Sequence, residues 1–225
     1  MREVLPARSR AERSERELPA RAEELLTVAL DLFSQRGFAA VTINDIANAV
    51  GVNTALIYYY FESKEDLFRA TVEDATAKAL DNYRRLRERH SDPVDLIGDW
   101  FDNNLELSEP IRKLVKIMLD YANSGMQIAL VDGLIKEFYA EECSILSGSI
   151  RRGIELGVFR AVDPERAALL ASTHLDGIMV ASMIRADFDL TAAMGDLKRV
   201  FWEHLGYDRN AVAPRARQRS PRAAN

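Results

Sequence analysis

The run Thr42-Ile43-Asn44-Asp45-Ile46-Ala47-Asn48-Ala49-Val50-Gly51-Val52-Asn53-Thr54-Ala55-Leu56-Ile57-Tyr58-Tyr59-Tyr60-Phe61 decides the fold. Thr42 is a helix-capping residue type, and Asp45 falls in the first turn that follows it. Gly51 has the backbone freedom that a sharp helix stop requires. Asn53 and Thr54 can each cap a second short helix, which runs into three adjacent tyrosines. Two short helices joined by a tight turn predict a helix-turn-helix, whose second helix is the one that enters a DNA major groove.

On the N-terminal side, Leu25, Ala29, Leu32 and Phe33 recur at three and four residues, which predicts a helix over 21–35 with Gly37 as its stop and Phe38 folded back on it. On the C-terminal side, Ser63 caps a helix running from Lys64 to about Arg89, with Asp66 at the third position. Further helices are predicted at 94–105, 110–123, 126–154, 164–186 and 192–205, separated by Ser108-Glu109-Pro110, Ser124-Gly125, Gly157 and Asp163-Pro164. Asp163 is placed to cap the helix that Pro164 opens. No stretch alternates with period two, so the fold class is all-α: an N-terminal three-helix unit followed by a helical bundle. The predicted divisions are an arm at 1–19, the helix-turn-helix unit at 20–66, the bundle at 67–207 and a tail at 208–225.

Composition agrees with a globular chain: 225 residues, 48% hydrophobic and 29% charged. No run of eighteen uninterrupted apolar residues is present, so no membrane span is expected. The first residues lack the apolar core of a signal peptide. Cys143 is the only cysteine, which excludes an intrachain disulfide and fits the cytoplasm; its ordinary role is that of a small buried hydrophobe. A net charge of −5 excludes a protein that coats nucleic acid through bulk positive charge, yet it is compatible with contact through small tips. Arg2, Arg8, Arg10, Arg13 and Arg16 in the arm either reach a minor groove or form a solvated tail, since Glu3, Glu12, Glu15 and Glu17 offset most of their charge.

Within the N-terminal unit, Ile46, Ile57 and Phe61 are expected inside, and Ala47 is small enough to let the two short helices approach. Consecutive helical side chains point about 100° apart, so Tyr58, Tyr59 and Tyr60 cannot all face one core. Thr54 and Ala55, at the tip beside Asn53, are short enough to approach base edges, the first as donor or acceptor and the second against a thymine methyl. The phenols of Tyr58, Tyr59 and Tyr60 can reach phosphate oxygens, as can the Lys64 ammonium and the hydroxyl and helix terminus at Thr42.

Catalytic patterns are missing. There is no glycine loop ending in Lys-Ser/Thr, no His-Glu-x-x-His and no cysteine pair. His90, His174 and His204 are scattered; His174, with Leu170 and Ile178, is expected as a core or pocket histidine, and no metal or cofactor is expected. Glu141-Glu142 is expected on a solvated helix surface. The bundle instead concentrates Trp100, Phe101, Leu105, Met118, Tyr121, Met126, Phe138, Tyr139, Met179 and Met183, which either line an adaptable apolar pocket or fill a core.

The run Leu32-Phe33, Gly37-Phe38, Thr42-Ile43, Asp45-Ile46-Ala47, Gly51-Val52, Ile57-Tyr58, Tyr60-Phe61 and Ser63-Lys64-Glu65-Asp66-Leu67-Phe68 resembles the TetR family of one-component repressors. The segment 152–159 before Asp163-Pro164, and Asp176-Gly177, are similar to that family's C-terminal half. The resemblance implies base contacts from Thr54, Ala55 and Tyr58, and phosphate contacts from Thr42, Tyr59, Tyr60 and Lys64. Tyr60 stands where the family often has histidine and keeps a hydrogen-bond donor; Leu56 replaces a small polar residue. The resemblance also implies that 67–207 is a ligand-binding and dimerisation domain. Its effector pocket would be drawn from Trp100, Phe101, Leu105, Met118, Tyr121, Phe138, His174 and Met179, and a homodimer would form through the helices at 164–186 and 192–205. The function so implied is a repressor released from a palindromic DNA operator by a small, mostly apolar effector, not an enzyme. The alternative from another class is a helical carrier or enzyme that keeps the N-terminal unit only as a scaffold.

Overall fold

A computed structural model describes residues 20–125 and 127–208. The arm with its five arginines, Met126 and the tail beyond Asp208 lie outside the described residues. The helices are α1 (Ala20–Arg36), α2 (Ile43–Val50), α3 (Thr54–Tyr60), α4 (Lys64–Arg89), α5 (Pro93–Glu106), α6 (Ser108–Asn123), α7 (Ala129–Glu155), α8 (Pro164–Ile184) and α9 (Leu190–Leu205). No strand occurs among the described residues, and each predicted helix is present.

The helix ends differ from expectation where side chains intervene. Asp92 accepts from the Val94 amide at 2.7 Å, so α5 begins one residue early with Pro93 in its first turn. Only Leu107 separates α5 from α6, which begins at Ser108 rather than Pro110. The Ile128 amide donates to the Tyr121 hydroxyl at 2.7 Å, which engages it outside a helix; α7 therefore starts at Ala129 instead of Met126. Asp189 caps α9 by accepting from the Ala192 amide at 2.9 Å, and Leu190 becomes its first residue.

Apolar burial is divided between two cores. The first joins Leu25, Leu26 and Phe33 of α1, Ile46 of α2, Ile57 of α3 and Leu67, Phe68 and Val72 of α4 to Ile117 and Tyr121 of α6 and Val131 of α7. Edge-on packing of Phe68 against Phe33 (5.3 Å) and Phe38 (5.0 Å) marks its centre. The second fills the bundle with Trp100, Phe101, Phe138, Leu146, Met179 and Phe201, and it also takes Tyr83 and Leu86 from α4. Helix α4 thus contributes its beginning to one core and its end to the other.

Glu142 corrects the expectation of a solvated Glu141-Glu142 pair. It is 2% exposed, and its carboxylate oxygens lie 3.1 Å from the Tyr83 hydroxyl and 2.6 Å from the Ser172 hydroxyl. Helix α7 packs against α4, α5 and α8, so it buries more than one face, and only Glu141 stays outward beside Arg84 at 3.6 Å. Cys143 is half-buried. Helix α8 qualifies the membrane expectation. Among the described residues it is long and apolar enough to cross a bilayer, with a mean hydropathy of 1.5 over eighteen residues, 39% of them buried inside the protein. Its acidic Asp176 nonetheless bonds Tyr139 of α7 at 2.9 Å.

Where α7 ends, Gly153 lies directly beneath the ring of Phe159, and its carbonyl accepts from the Val158 and Phe159 amides at 2.9 and 3.1 Å. A methyl group at this position overlaps the ring. Gly153→Ala is expected to lower the unfolding free energy by about 1–3 kcal/mol in urea denaturation, as overpacking of a filled core does.

Candidate nucleic-acid interface

The helix-turn-helix unit is built from its caps. Thr42 and Asp45 form a reciprocal capping box at the start of α2: the Asp45 amide donates to the Thr42 hydroxyl at 3.1 Å, and the Asp45 carboxylate accepts from the Thr42 amide at 2.8 Å. The Thr42 hydroxyl, donating at 2.6 Å, and then its amide hold the Asp45 carboxyl below the usual carboxylate range. Gly51 ends α2 at φ 75°, a left-handed conformation that costs other residues free energy. Its successor Val52 donates to the Ala47 carbonyl at 2.9 Å, closing the turn.

Asn53, rather than Thr54, caps α3, accepting from the Leu56 amide at 2.9 Å. One residue of α3, Ile57, is buried. It meets the Ile46 and Ala47 side of the first core, and Phe61, just past the helix end, seals the contact from behind. The opposite side of the helix faces outward. Tyr59 is 79% and Tyr58 56% exposed; Asn53, Ala55 and Thr42 are exposed, and Thr54 and Tyr60 are half-buried. Tyr60 is steadied edge-on by Tyr59, with 5.1 Å between ring centroids. Lys64, at the first turn of α4, holds its ammonium 4.2 Å from the centroid of Phe38. Phe38 is therefore part of this edge, a role for which its position after Gly37 supplied the sequence signal. Thr42, Asn53, Thr54, Ala55, Tyr58, Tyr59, Tyr60 and Lys64 all belong to this unit; Ile57 is what ties α3 to it.

The eight pocket candidates separate. Trp100, Phe101, Phe138 and Met179 are buried in the bundle core, and Leu105 packs partly buried against them. Met118 and Tyr121 line a different feature, an open groove of about 610 Å³ shared with Gln127, Asp132 and Ile135. There the Tyr121 hydroxyl donates to Asp132 at 2.9 Å. His174 corrects the expectation of a core or pocket histidine. It lies on the outward face of α8, bonded at 2.8 Å to the Leu170 carbonyl of its own helix, because Leu175 and Met179 occupy the inward face. Sequence reasoning missed the buried polar set at the bundle centre, namely Tyr83, Asn104, Glu142 and Ser172. Nothing in the pattern around any of the four marks it as interior.

Two capped short helices with an outward second helix, joined to a helical bundle, make a helix-turn-helix protein, the class whose second helix can enter a DNA major groove. Residues 25–71 match the family model described as bacterial regulatory proteins, tetR family. The HTH-type transcriptional repressor KstR2 of Mycolicibacterium smegmatis is 25% identical over 141 residues, which is 63% of this chain and 68% of the relative. The HTH-type transcriptional regulator AcrR of Shigella flexneri is 25% identical over 174 residues, 75% of this chain and 81% of the relative. A TetR transcription regulator from Haloarcula marismortui superposes with a TM-score of 0.70 at 22% identity, covering 82% of this chain and 96% of the other. A transcriptional regulator from Saccharomonospora viridis in complex with choline superposes at 0.72 with 24% identity, covering 82% and 96%. Residues 25–71 thus match the TetR family of transcriptional regulators, and the chain is similar to regulators of that kind over most of its length.

The geometry separates anchoring from display. Ile57→Ala is expected to cost about 2–5 kcal/mol in chemical denaturation, the range for a buried aliphatic truncated to alanine. Tyr59→Ala should remain within about 0.5 kcal/mol of the parent, as an exposed substitution does.

Proposed function

We propose that the protein is a ligand-responsive repressor that binds a palindromic operator as a homodimer. The observation that carries this reading is α3 itself, held by Ile57 while Ala55, Tyr58 and Tyr59 project outward from its capped N-terminus onward. In this reading Thr54, Ala55 and Tyr58 meet base edges, and Thr42, Tyr59, Tyr60 and Lys64 meet phosphates on either side. Asn53 positions the tip, since its side-chain oxygen is committed to the cap.

Support for the homodimer comes from α8 and α9. Leu169, Leu170 and Ile184 on α8 and Val200 on α9 are exposed large apolar residues. Gly177 and Ala192 are exposed in the same two helices, while Ala167, Ala168 and Ala171 are spent inside the protomer. Pairing α8 and α9 with a second copy would bury this surface and place two reading heads about one helical turn of DNA apart, or a multiple of it.

The effector is assigned to the bundle interior around Tyr83, Trp100 and Phe138. Among the described residues, neither Glu142 nor Asp176, the carboxyls of this region, has a Lys or Arg partner. An anion would face them unfavourably, so the reading is a small, mostly apolar molecule whose polar part is cationic or donates hydrogen bonds. The choline complex of the Saccharomonospora viridis regulator supports that class. Effector and operator would compete through α4, a coupling typically of about 1–3 kcal/mol.

Selecting bound fragments from genomic DNA tests the reading directly, and duplex titrations then assign residues. Lys64→Ala should weaken every duplex alike and lower the salt slope by about 1, whereas Thr54→Ala should relax preference at one base pair. Ile184→Glu, at a site 73% exposed, should leave the protomer folded but convert dimer to monomer in sedimentation and abolish operator binding. Substrate turnover with no duplex binding at low salt would favour the carrier or enzyme reading instead.

A further inference from the structure

Tyr83 of α4 is 3% exposed, and its hydroxyl oxygen has two oxygen neighbours: Asn104 Oδ1 of α5 at 2.9 Å and Glu142 Oε1 of α7 at 3.1 Å. A phenol carries one proton. The Asn104 amide cannot turn to help, because its Nδ2 donates to the Trp100 carbonyl at 2.7 Å, leaving Oδ1 toward the phenol. With Glu142 ionised, two acceptors compete for a single hydrogen, and one buried contact becomes lone pair against lone pair. With Glu142 protonated the conflict disappears. Its O–H donates to the Tyr83 oxygen, Tyr83 donates to Asn104, and the other carboxyl oxygen accepts from Ser172 of α8 at 2.6 Å.

We infer that Glu142 is a proton-gated latch: α4 is held against α5 and α7 while this carboxyl carries its proton, and loss of the proton loosens α4 and weakens DNA binding. The DNA half of the inference rests on the regulator reading above.

Among the described residues no Lys or Arg pairs with this carboxyl. Helix α4 contributes the phenol, α5 the neutral Asn104, and α8 the Ser172 hydroxyl together with a second acid, Asp176, bonded to Tyr139 of α7. The neighbouring Cys143 thiol is also pushed up, first by burial and then by Glu142 and Asp176. Arg84 of α4 and Glu141 of α7 pair with each other outside this set. Burial first, and the charge of Asp176 in addition, outweigh the bonds from Ser172 and Tyr83 and push the Glu142 carboxyl up to about 7 from 4.5. The folded chain therefore binds a proton that the unfolded chain has released. Its contribution to stability is fully present below pH 4.5, falls as pH rises from 4.5 to about 7, and is flat above.

The test uses the full chain and Glu142→Gln, whose amide supplies a permanent donor in the acid's place. The parent's melting temperature should fall as pH rises through this window, and the Gln variant should lose that component of the slope. Carbon-13 labelling of glutamate in the unsubstituted chain should show one carboxyl titrating near neutrality, and this holds even where a variant folds poorly. Affinity for a selected duplex should drop about tenfold on the alkaline side in the parent, the equivalent of one pKa unit between bound and free states, and stay level in Glu142→Gln. A Glu142 resonance titrating in the ordinary carboxylate range overturns the inference, as does an unchanged pH slope in the variant or a DNA affinity that ignores pH. If no duplex binds at any pH, the regulator reading fails, and the thermal and resonance arms still decide the latch between α4 and α7.

Discussion

Helix α4 is anchored at both ends and cannot flex freely in between. Its first turns are locked into the helix-turn-helix core by Leu67, Phe68 and Val72, and its last turns into the bundle by Tyr83 and Leu86. Over 26 residues an α-helix spans about 39 Å, and bending it sharply requires breaking ladder hydrogen bonds. Tyr83 and Lys64 therefore lie on one continuous helix that joins the bundle core to the edge at Phe38. Both that edge and the interior contacts derive their relation from that one stiff element.

The interior contact is polar where the composition suggests oil. Trp100 and Phe138 flank Tyr83, whose bonded set includes an acid with no Lys or Arg partner among the described residues. Such a group costs free energy unless it is neutral or given a partner. The charge state of the bundle centre is therefore coupled to how its helices pack. That centre also reaches α4, α5, α7 and α8 together. A purely apolar centre would pack as tightly but would have no charge state to report.

At the surface the same economy recurs. Helix α3 is attached through Ile57 and leaves Ala55, Tyr58 and Tyr59 exposed. Helix α8 is apolar on its inward face, as any core helix is, but it also carries Leu169, Leu170 and Ile184 outward. Inward packing alone does not explain those three, and their spacing places them on one side of the helix. His174 shares that side, which is why its sequence neighbourhood of leucine and isoleucine pointed inward while its coordinates point out.

Local chemistry was legible without coordinates. The caps Thr42, Ser63 and Asp163, the stop at Gly51 and the three- and four-residue spacing in α1 all act within a few positions of themselves, so their consequences can be read from adjacent letters. That the three tyrosines cannot share one face followed from helical geometry; that Tyr58 and Tyr59 are the exposed pair and Tyr60 is half-buried did not. Glu142 and His174 were not legible in this way. Which side of α7 or α8 is interior depends on how many helices surround it, and those come from stretches far away in the chain. Tyr83 meets Asn104 at a separation of 21 positions and Glu142 at a separation of 59, and no local period encodes that meeting. The amino-acid order alone determined the helices, the caps at Thr42, Ser63 and Asp163, and the family likeness. Tertiary packing decided which charges were taken out of water, because burial is a property of neighbours rather than of residues.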